Sequence, residues 1–207
     1  MNEEAEHKVY RSIARLYDVL DLPFEYFRYR RIREQLWKNI TGDVLDAGVG
    51  TGRNMAYYPT NARMTGIDLS PEMLKRAVAR QHRLNIDVHL LNMNVTALGF
   101  DDNSFDRVVS TFLFCVLDDT LQLAALKELS RVCRADGEIH ILEYSYSKRP
   151  LKRLVMRMWA PWVMWMYGAR FDRNTEQYAG AADLDLVSET YLHQDIIKLL
   201  VFKPRLK

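Results

Sequence analysis

The 207-residue chain contains few cysteines, prolines and glycines, and each shortage excludes a class of protein. Two cysteines, Cys115 and Cys133, are too few for the disulfide framework of a small secreted domain, so we expect a reducing compartment. Nine glycines and six prolines exclude a fibrous or low-complexity chain. The five histidines are scattered, and because no His/Cys spacing is typical of zinc we expect no metal.

A strong net charge and a signal-like apolar start are also missing. The first residues, MNEEAEHKVYRS, are polar and acidic, whereas a secretory signal has a basic start and an apolar run, so we expect a cytoplasmic protein. A net charge of +2 gives little reason to expect nucleic-acid binding. With 48% hydrophobic and 27% charged residues, a chain of this length can bury one core, which predicts a single domain. The oligomeric state is not indicated.

From residue 43 onward, apolar β-rich runs alternate with helical patterns. The predicted strands are residues 43–47, 64–68, 86–91, 106–111 and 138–143. Because helix-sized spacers separate them, they predict an α/β fold with a parallel sheet and helices on both faces. Two later candidates, 184–192 and 195–202, lie close enough in sequence to form an antiparallel hairpin at the sheet edge, giving seven strands.

Local signals also predict helix boundaries. Ser70 can cap a helix beginning at Pro71, and Asp118 or Asp119 can cap another that we expect Gly137 to end. A further helix is expected over residues 150–168, and two amphipathic helices over the first 40 residues. We divide the chain into a helical N-terminal region (1–40), a core (41–143) and a C-terminal region (144–207).

The strongest motif is Asp-x-Gly-x-Gly-x-Gly at residues 46–52, which follows a predicted buried strand and precedes a helix. Glycines there allow a tight turn and let a ligand lie against bare main chain at a helix N-terminus. Sixteen residues after Gly52, the second strand ends in Asp68, whose carboxylate can accept both hydroxyls of a ribose. The combination indicates an adenosine-containing ligand.

The glycine spacing distinguishes between such ligands. The dinucleotide fingerprint G-x-G-x-x-G would need glycine at position 53, which is Arg53, so NAD is disfavoured. The pattern instead resembles the class I S-adenosylmethionine (SAM) methyltransferases, which implies a Rossmann-like sheet, SAM as cofactor and S-adenosylhomocysteine as product. Carried over residue by residue, the resemblance places Asp46, Gly48, Gly50, Thr51 and Gly52 around the methionine end, Asp68 on the ribose, Leu69 on the adenine, and Asn94 and Val95 at the adenine edge. Asn94 departs from the family pattern, which has aspartate, but its amide carbonyl can accept from the adenine amino group.

A finer resemblance concerns the acceptor. Residues 108–118, VVSTFLFCVLD, are similar to a run in the branch that contains bacterial phospholipid N-methyltransferases and alkyl-thiol methyltransferases. Quinone-biosynthesis C-methyltransferases share the core and the early Tyr17-Asp18 pair. In the enzymes that this sequence resembles, the N-terminal region forms a lid over SAM. The resemblance therefore implies that Tyr17 lies beside the cofactor and the acceptor. Glu143 and Tyr144, at the carboxyl end of the fifth strand, are further candidate catalytic residues.

The segment from 144 to 171 contains six cations and no acid. At helical spacing its apolar and cationic residues separate into two faces, and residues near one end add tryptophans, as in a helix lying at a lipid surface. Its apolar run, residues 154–168, is too short to span a bilayer, contains Arg157 and should be kinked at Pro161. The residues expected at an anionic membrane or acceptor are Lys148, Arg149, Lys152, Arg153, Arg157, Trp159, Trp162 and Trp165.

These patterns together predict a SAM-dependent methyltransferase that acts on a lipid-like or hydrophobic acceptor at a membrane surface, with a phosphatidylethanolamine-type amine favoured. The protein would then be peripheral on the inner face of the membrane. Two alternatives remain open: a soluble enzyme acting on a thiol or quinone precursor, and a SAM-binding module without turnover.

Overall fold

The computed structural model of the protein describes residues 29–205. The helices expected within residues 1–28, and Tyr17 with them, lie outside these described residues.

Seven strands form a single mixed sheet. They are β1 (Gly42–Ala47), β2 (Ala62–Asp68), β3 (Val88–Asn92), β4 (Phe105–Thr111), β5 (Cys133–Tyr144), β6 (Leu184–His193) and β7 (Ile197–Pro204). Their order across the sheet is β3-β2-β1-β4-β5-β7-β6. Strands β1 to β5 are parallel, whereas β7 runs antiparallel to both β5 and β6. The predicted Rossmann-like sheet with an antiparallel C-terminal hairpin is therefore confirmed.

Within the described part of the chain, four helices connect or flank the strands: α1 (Arg30–Trp37), α2 (Pro71–Leu84), α3 (Asp119–Val132) and α4 (Pro150–Tyr167). The same part contains three short 3-10 turns, Arg53–Tyr57, Thr175–Tyr178 and Gly180–Ala182. The predicted caps are present, since the Ser70 side chain accepts from the Met73 N–H at 3.3 Å and that of Asp118 from the Thr120 N–H at 2.9 Å.

The expectation that Gly137 ends α3 is wrong. The helix ends at Val132 because Cys133 already has an extended backbone, with φ −78° and ψ 136°, and begins β5. Gly137 lies inside that strand, where an added Cβ would come within 2.7 Å of the Asp106 carbonyl oxygen. The missing side chain of Gly137 therefore allows β4 and β5 to approach each other closely.

Alternate residues of the central strands enter two separate hydrophobic clusters, because successive strand side chains point to opposite faces of a sheet. Val44 and Val109 pack with α1 and α2, whereas Leu45 and Val108 pack with α3. Helices therefore cover both faces, as predicted. None of the helices within residues 29–205 is long and apolar enough to cross a membrane.

The strand order reverses beside β1, since β2 follows it on one side and β4 on the other. In open α/β sheets, the crevice outside the carboxyl ends of the strands at such a point is where ligands bind. The glycine loop and Asp68 both lie at this edge.

Candidate cofactor and acceptor site

The glycine loop leaves β1 and is fastened to the end of β2. The backbone N–H groups of Gly48 and Val49 both donate to the Ile67 carbonyl oxygen, at 2.9 and 2.8 Å. Gly50 has φ +56°, and a Cβ added to it would meet no atom within 4 Å. The loop therefore exposes bare main chain next to open space, as close approach of a ligand requires.

Asp68 joins the loop to helix α2. Its two carboxylate oxygens accept hydrogen bonds from the backbone N–H groups of Gly50 and Ser70, each at 2.9 Å. A carboxylate oxygen can accept more than one hydrogen bond, so both retain capacity for a hydroxyl donor. Burial raises the pKa of Asp68 above its ordinary value.

The predicted adenine-side residues lie at the ends of β2 and β3. Leu69 is 55% exposed, which leaves an apolar side chain beside the carboxylate. The Asn92 amide donates to the carbonyl oxygens of Asp68 and Leu69, each at 2.9 Å, and fixes this corner. The Asn94 carbonyl oxygen already accepts from the Thr96 N–H and hydroxyl, at 3.0 and 2.9 Å, so a bond to adenine would add to or replace these turn contacts.

A buried polar network surrounds Asp46 at the end of β1. One carboxylate oxygen accepts from the Asn54 amide at 2.8 Å and from the Tyr58 hydroxyl at 2.5 Å. Arg33 of α1, only 6% exposed, donates to the Asn54 carbonyl oxygen, and the Asn54 amide also donates to the Thr111 hydroxyl at 3.0 Å. Side chains from α1, β1, β4 and a 3-10 turn therefore meet at this carboxylate.

The other oxygen of Asp46, Oδ1, is buried and has no hydrogen-bond partner among the described residues. Burial raises the pKa of Asp46 to about 6, although the hydrogen bonds from Tyr58 and Asn54 act to lower it. An unpaired buried acceptor is costly, and a cationic donor would satisfy it. The orphaned oxygen fits the ammonium group of an amino acid, while the open main chain at Gly50 and the spare acceptors of Asp68 fit the rest of SAM.

The two predicted catalytic residues of β5 lie on opposite faces of the sheet, because they are consecutive in a strand. Tyr144 stacks on Phe112 with ring centroids 4.7 Å apart, and its hydroxyl bonds that of Tyr29. Glu143 instead lies on the α3 face and is fully buried. The structure therefore does not bring Glu143 and Tyr144 together.

Glu143 belongs to a buried ionic cluster. It accepts from the Thr175 hydroxyl at 2.7 Å and lies 3.2 Å from the Lys198 ammonium, which also contacts both oxygens of Glu176. Burial raises the pKa of Glu143, whereas the two carboxylates raise that of Lys198 although burial alone would lower it. Through this ion pair, Glu143 of β5 binds Lys198 of β7 and links the two strands.

The predicted membrane-side residues divide into two groups. Lys152 contacts the Gln194 side chain and Asp195 of the β6–β7 turn, so it anchors α4 rather than facing outward. The remaining cations and tryptophans of the prediction are exposed: Lys148, Arg149, Arg153, Arg157, Trp159, Trp162 and Trp165.

Sequence reasoning missed Arg33, Asn54 and Phe112. Arg33 and Asn54 carried no motif signal, since their partners are distant in sequence. Phe112 has φ +57°, a left-handed conformation that no local residue preference predicts for phenylalanine. Tyr58 lies shortly after the glycine loop, but no motif in the sequence indicates its bond to Asp46.

Fold and site together define a nucleoside-binding α/β protein with a Rossmann-like sheet. Residues 44–137 match a methyltransferase domain family. A demethylmenaquinone methyltransferase of Staphylococcus aureus is 30% identical over 187 residues, which cover 86% of this chain and 76% of that protein. The chain therefore belongs to the class I SAM-dependent methyltransferases, and SAM is its cofactor.

Two further likenesses complete the comparison. A phosphatidylethanolamine N-methyltransferase of Cereibacter sphaeroides is 37% identical over 113 residues, which are 53% of this chain and only 55% of that relative's length. The crystal structure of a SAM-dependent methyltransferase from Clostridium acetobutylicum superimposes with a TM-score of 0.69 at 13% identity, covering 95% of this chain and 99% of the other. That structural likeness supports the fold alone.

Proposed function

We propose that this methyltransferase acts on a lipid-like acceptor presented at an anionic membrane surface, with the amine of a phosphatidylethanolamine-type head group as the leading acceptor. The observation that carries the proposal is the exposed surface of α4. This helix joins strongly apolar side chains to cations in the segment that follows β5, the strand ending in Tyr144.

Helix α4 exposes large apolar side chains over most of its length. Leu151, Met158 and Trp165 are 76%, 74% and 72% exposed. The others that are exposed are Leu154, Val155, Trp159, Trp162 and Met164. A contiguous patch of this kind on a folded protein is typical of an interaction site, and tryptophan suits the boundary between water and lipid.

Three arginines follow one another at four-residue spacing along the same helix. Arg149, Arg153 and Arg157 are exposed and form no ion pair with any acid among residues 29–205. Each cation near an anionic lipid surface contributes about 1 kcal/mol. Charge complementarity therefore favours a negatively charged surface as the partner of this apolar helix.

Both ends of α4 are fixed at the edge of the sheet that holds the site. At its start, the Ser147 hydroxyl donates to Asp195 at 2.6 Å and accepts from the Arg149 N–H at 3.1 Å. Beyond its end, the Arg170 N–H donates to the Cys115 carbonyl oxygen at 2.8 Å. A membrane bound to α4 would consequently lie near the carboxyl ends of the strands.

When bound, SAM would supply a methyl group from its sulfonium sulfur to the acceptor nitrogen, which attacks as the free amine after its ammonium has released a proton to water, and the sulfur would keep the electron pair of the broken S–C bond to give S-adenosylhomocysteine. The protein's own contribution is alignment and exclusion of water. Asp46 and the glycine loop would hold the amino-acid end, Asp68 would hold the sugar, and the aromatic side chains at the ends of β4 and β5 would cover the acceptor side.

A soluble quinone precursor is the second candidate, supported by the likeness to a demethylmenaquinone methyltransferase over 86% of the chain. An aromatic acceptor could stack on Phe112 and Tyr144. A thiol acceptor and binding without turnover remain alternatives that product formation would separate.

The proposal is tested with vesicles and with a product assay. Purified protein is sedimented with phosphatidylcholine vesicles containing phosphatidylglycerol, at low and at high salt. Binding should depend on the anionic lipid, weaken with salt and fall in the double variant Arg149→Glu/Arg157→Glu, while Lys127→Glu, a charge reversal at an exposed position of α3, should bind normally. S-adenosylhomocysteine should form with phosphatidylethanolamine in these vesicles. Absence of vesicle binding at low salt would reject the membrane partner, and product from a water-soluble quinol or thiol alone would establish an alternative.

A further inference from the structure

A row of four aromatic rings leads from α4 toward the cofactor site. Tyr146 lies 5.8 Å from Phe171, Phe171 lies 5.5 Å from Tyr144, and Tyr144 stacks at 4.7 Å on Phe112, all measured between ring centroids. We call these four side chains the aromatic row. Each of the four is only half-buried.

The two ends of the row have different neighbours. At the outer end, the Arg153 guanidinium of α4 lies over the Tyr146 ring, 5.8 Å from its centroid. At the inner end, Phe112 directly follows Thr111, which accepts a hydrogen bond from Asn54 in the Asp46 network. The row therefore connects the exposed cationic helix with the residues around the methionine end of the cofactor.

The backbone at the inner end is strained. Phe112 has φ +57°, and its N–H donates to the Leu142 carbonyl oxygen at 2.7 Å. Bulky residues adopt this conformation only where the surrounding structure enforces it, and such positions cluster at functional sites. In this conformation the Phe112 ring lies stacked on Tyr144.

At this edge the rings, rather than carboxylates, are available to a cation. The nearby carboxylates are already committed, Glu143 to Lys198 on the other face of the sheet and Asp195 to Ser147 and Lys152. Aromatic faces attract ammonium groups, quaternary ones above all. Lys148, 5.1 Å above the ring of a neighbouring tyrosine, already makes such a contact at this edge.

We propose that the aromatic row binds the ammonium head group of the acceptor and of its N-methylated products, and that Arg153 meets the phosphate accompanying such a head group at the outer end. The inference rests on the proposed function and assigns the substrate class of that site, a phosphate ester of an amino alcohol. A quinone carries no positive charge and would therefore gain no cation–π attraction from these rings.

A pair of matched ligands tests the row directly. One is a short-chain phosphatidylcholine below its micelle concentration, and the other is its isostere with an uncharged tert-butyl group in place of trimethylammonium, which keeps the phosphate. Because the two differ in head-group charge at nearly constant shape, titration calorimetry in the presence of S-adenosylhomocysteine measures the preference for the ammonium group, and the ring variants show how much of that preference is cation–π attraction. We expect the wild type to bind the ammonium ligand about tenfold more tightly.

Variants locate the effect. Phe171→Leu should reduce the tenfold preference to about twofold, and Phe112→Leu should do the same, whereas Tyr144→Phe, which keeps the ring, should retain it. Phe100→Leu provides the control, since Phe100 pairs with Phe105 at 5.0 Å in the α3-side cluster and would leave the preference unchanged. Circular dichroism and binding of S-adenosylhomocysteine verify that each variant is folded.

The outcomes separate this inference from the proposed function. Equal binding of the two ligands, or an undiminished preference in Phe171→Leu, would overturn the row as an ammonium site even if phosphatidylethanolamine were methylated. A preference that disappears with the rings would support the site even if no product formed from that lipid.

Discussion

Asp46 carries a buried carboxylate whose charge is not fully compensated within the described protein, and replacing it by asparagine tests how that charge is used. The variant Asp46→Asn keeps an oxygen that can accept from Asn54 and Tyr58, as Oδ2 does at 2.8 and 2.5 Å. It removes the negative charge and places an amide nitrogen where the unpaired Oδ1 lies.

The expected effect follows from linkage between proton binding and folding. Burial raises the pKa of Asp46 from its ordinary 3.8 to about 6, so the folded protein holds this proton more tightly than the unfolded chain. A raised pKa of an acid contributes stability that is fully present below pH 3.8 and is lost as the pH rises through about 6. The whole loss is about 3 kcal/mol, and roughly 1.5 kcal/mol of it falls between pH 5 and pH 8.

Urea unfolding of both proteins, followed by circular dichroism at pH 5, 6, 7 and 8, measures this loss. Groups other than Asp46 titrate in both proteins, and the cost of a buried amide does not depend on pH, so the difference between the two profiles isolates the carboxylate. Relative to the variant, the wild type should lose roughly 1.5 kcal/mol from pH 5 to pH 8. Parallel profiles would refute the reasoning. At pH 8 the variant should also bind SAM more weakly, because it lacks the charge that faces the ligand ammonium.

Three other substitutions test the site and its support. Asp68→Ala should raise the dissociation constant of SAM, measured by calorimetry, about 30- to 1,000-fold, since two charge-assisted bonds are worth about 2–4 kcal/mol. The control Asp87→Ala, which removes an exposed carboxylate, should leave the dissociation constant unchanged. Unchanged affinity in Asp68→Ala would contradict the ribose assignment. Gly52→Ala places a Cβ 2.8 Å from a methionine sulfur at a residue with φ +79°, and should lower the free energy of unfolding in urea by about 1–3 kcal/mol. In the control Gly180→Ala the added Cβ meets no atom within 4 Å, so the free energy of unfolding should stay nearly the same. Equal losses in the two variants would show that the loop tolerates a side chain. Lys198→Met removes the cation shared by two glutamates and should lower the free energy of unfolding by about 3–5 kcal/mol at pH 8. The loss should be smaller at pH 5, where the carboxyl groups take up protons. An unchanged melting temperature would show that the cluster adds no stability.

The positions of the strands and the identity of the cofactor could be predicted because their signals are local. The buried run before Gly48, the turn after it and the strand ending in Asp68 each depend on neighbouring residues, so a glycine spacing and one carboxylate suffice to indicate an adenosine ligand. The error at Gly137 has a matching cause. A glycine is typical of a helix end and equally of a close strand contact, and only the register of β4 and β5 distinguishes the two uses.

The acceptor side could not be predicted in the same way. Sequence patterning placed apolar residues and cations on separate faces of residues 150–168, but it could not show that Lys152 would pair with Asp195 of the β6–β7 turn. Nor could it show that Phe171 would lie beside Tyr144, since these residues are adjacent only after α4 has returned the chain to the sheet.

The sequence by itself therefore determined the class of fold and the cofactor, because hydrophobic periodicity and backbone freedom act over a few neighbouring residues. Tertiary structure alone decided the network that joins Arg33, Asn54 and Asp46, the separation of Glu143 from Tyr144, and the aromatic row. The physical reason is that these contacts join positions distant along the chain, and they form only once strand order and register have brought those positions to one edge of the sheet.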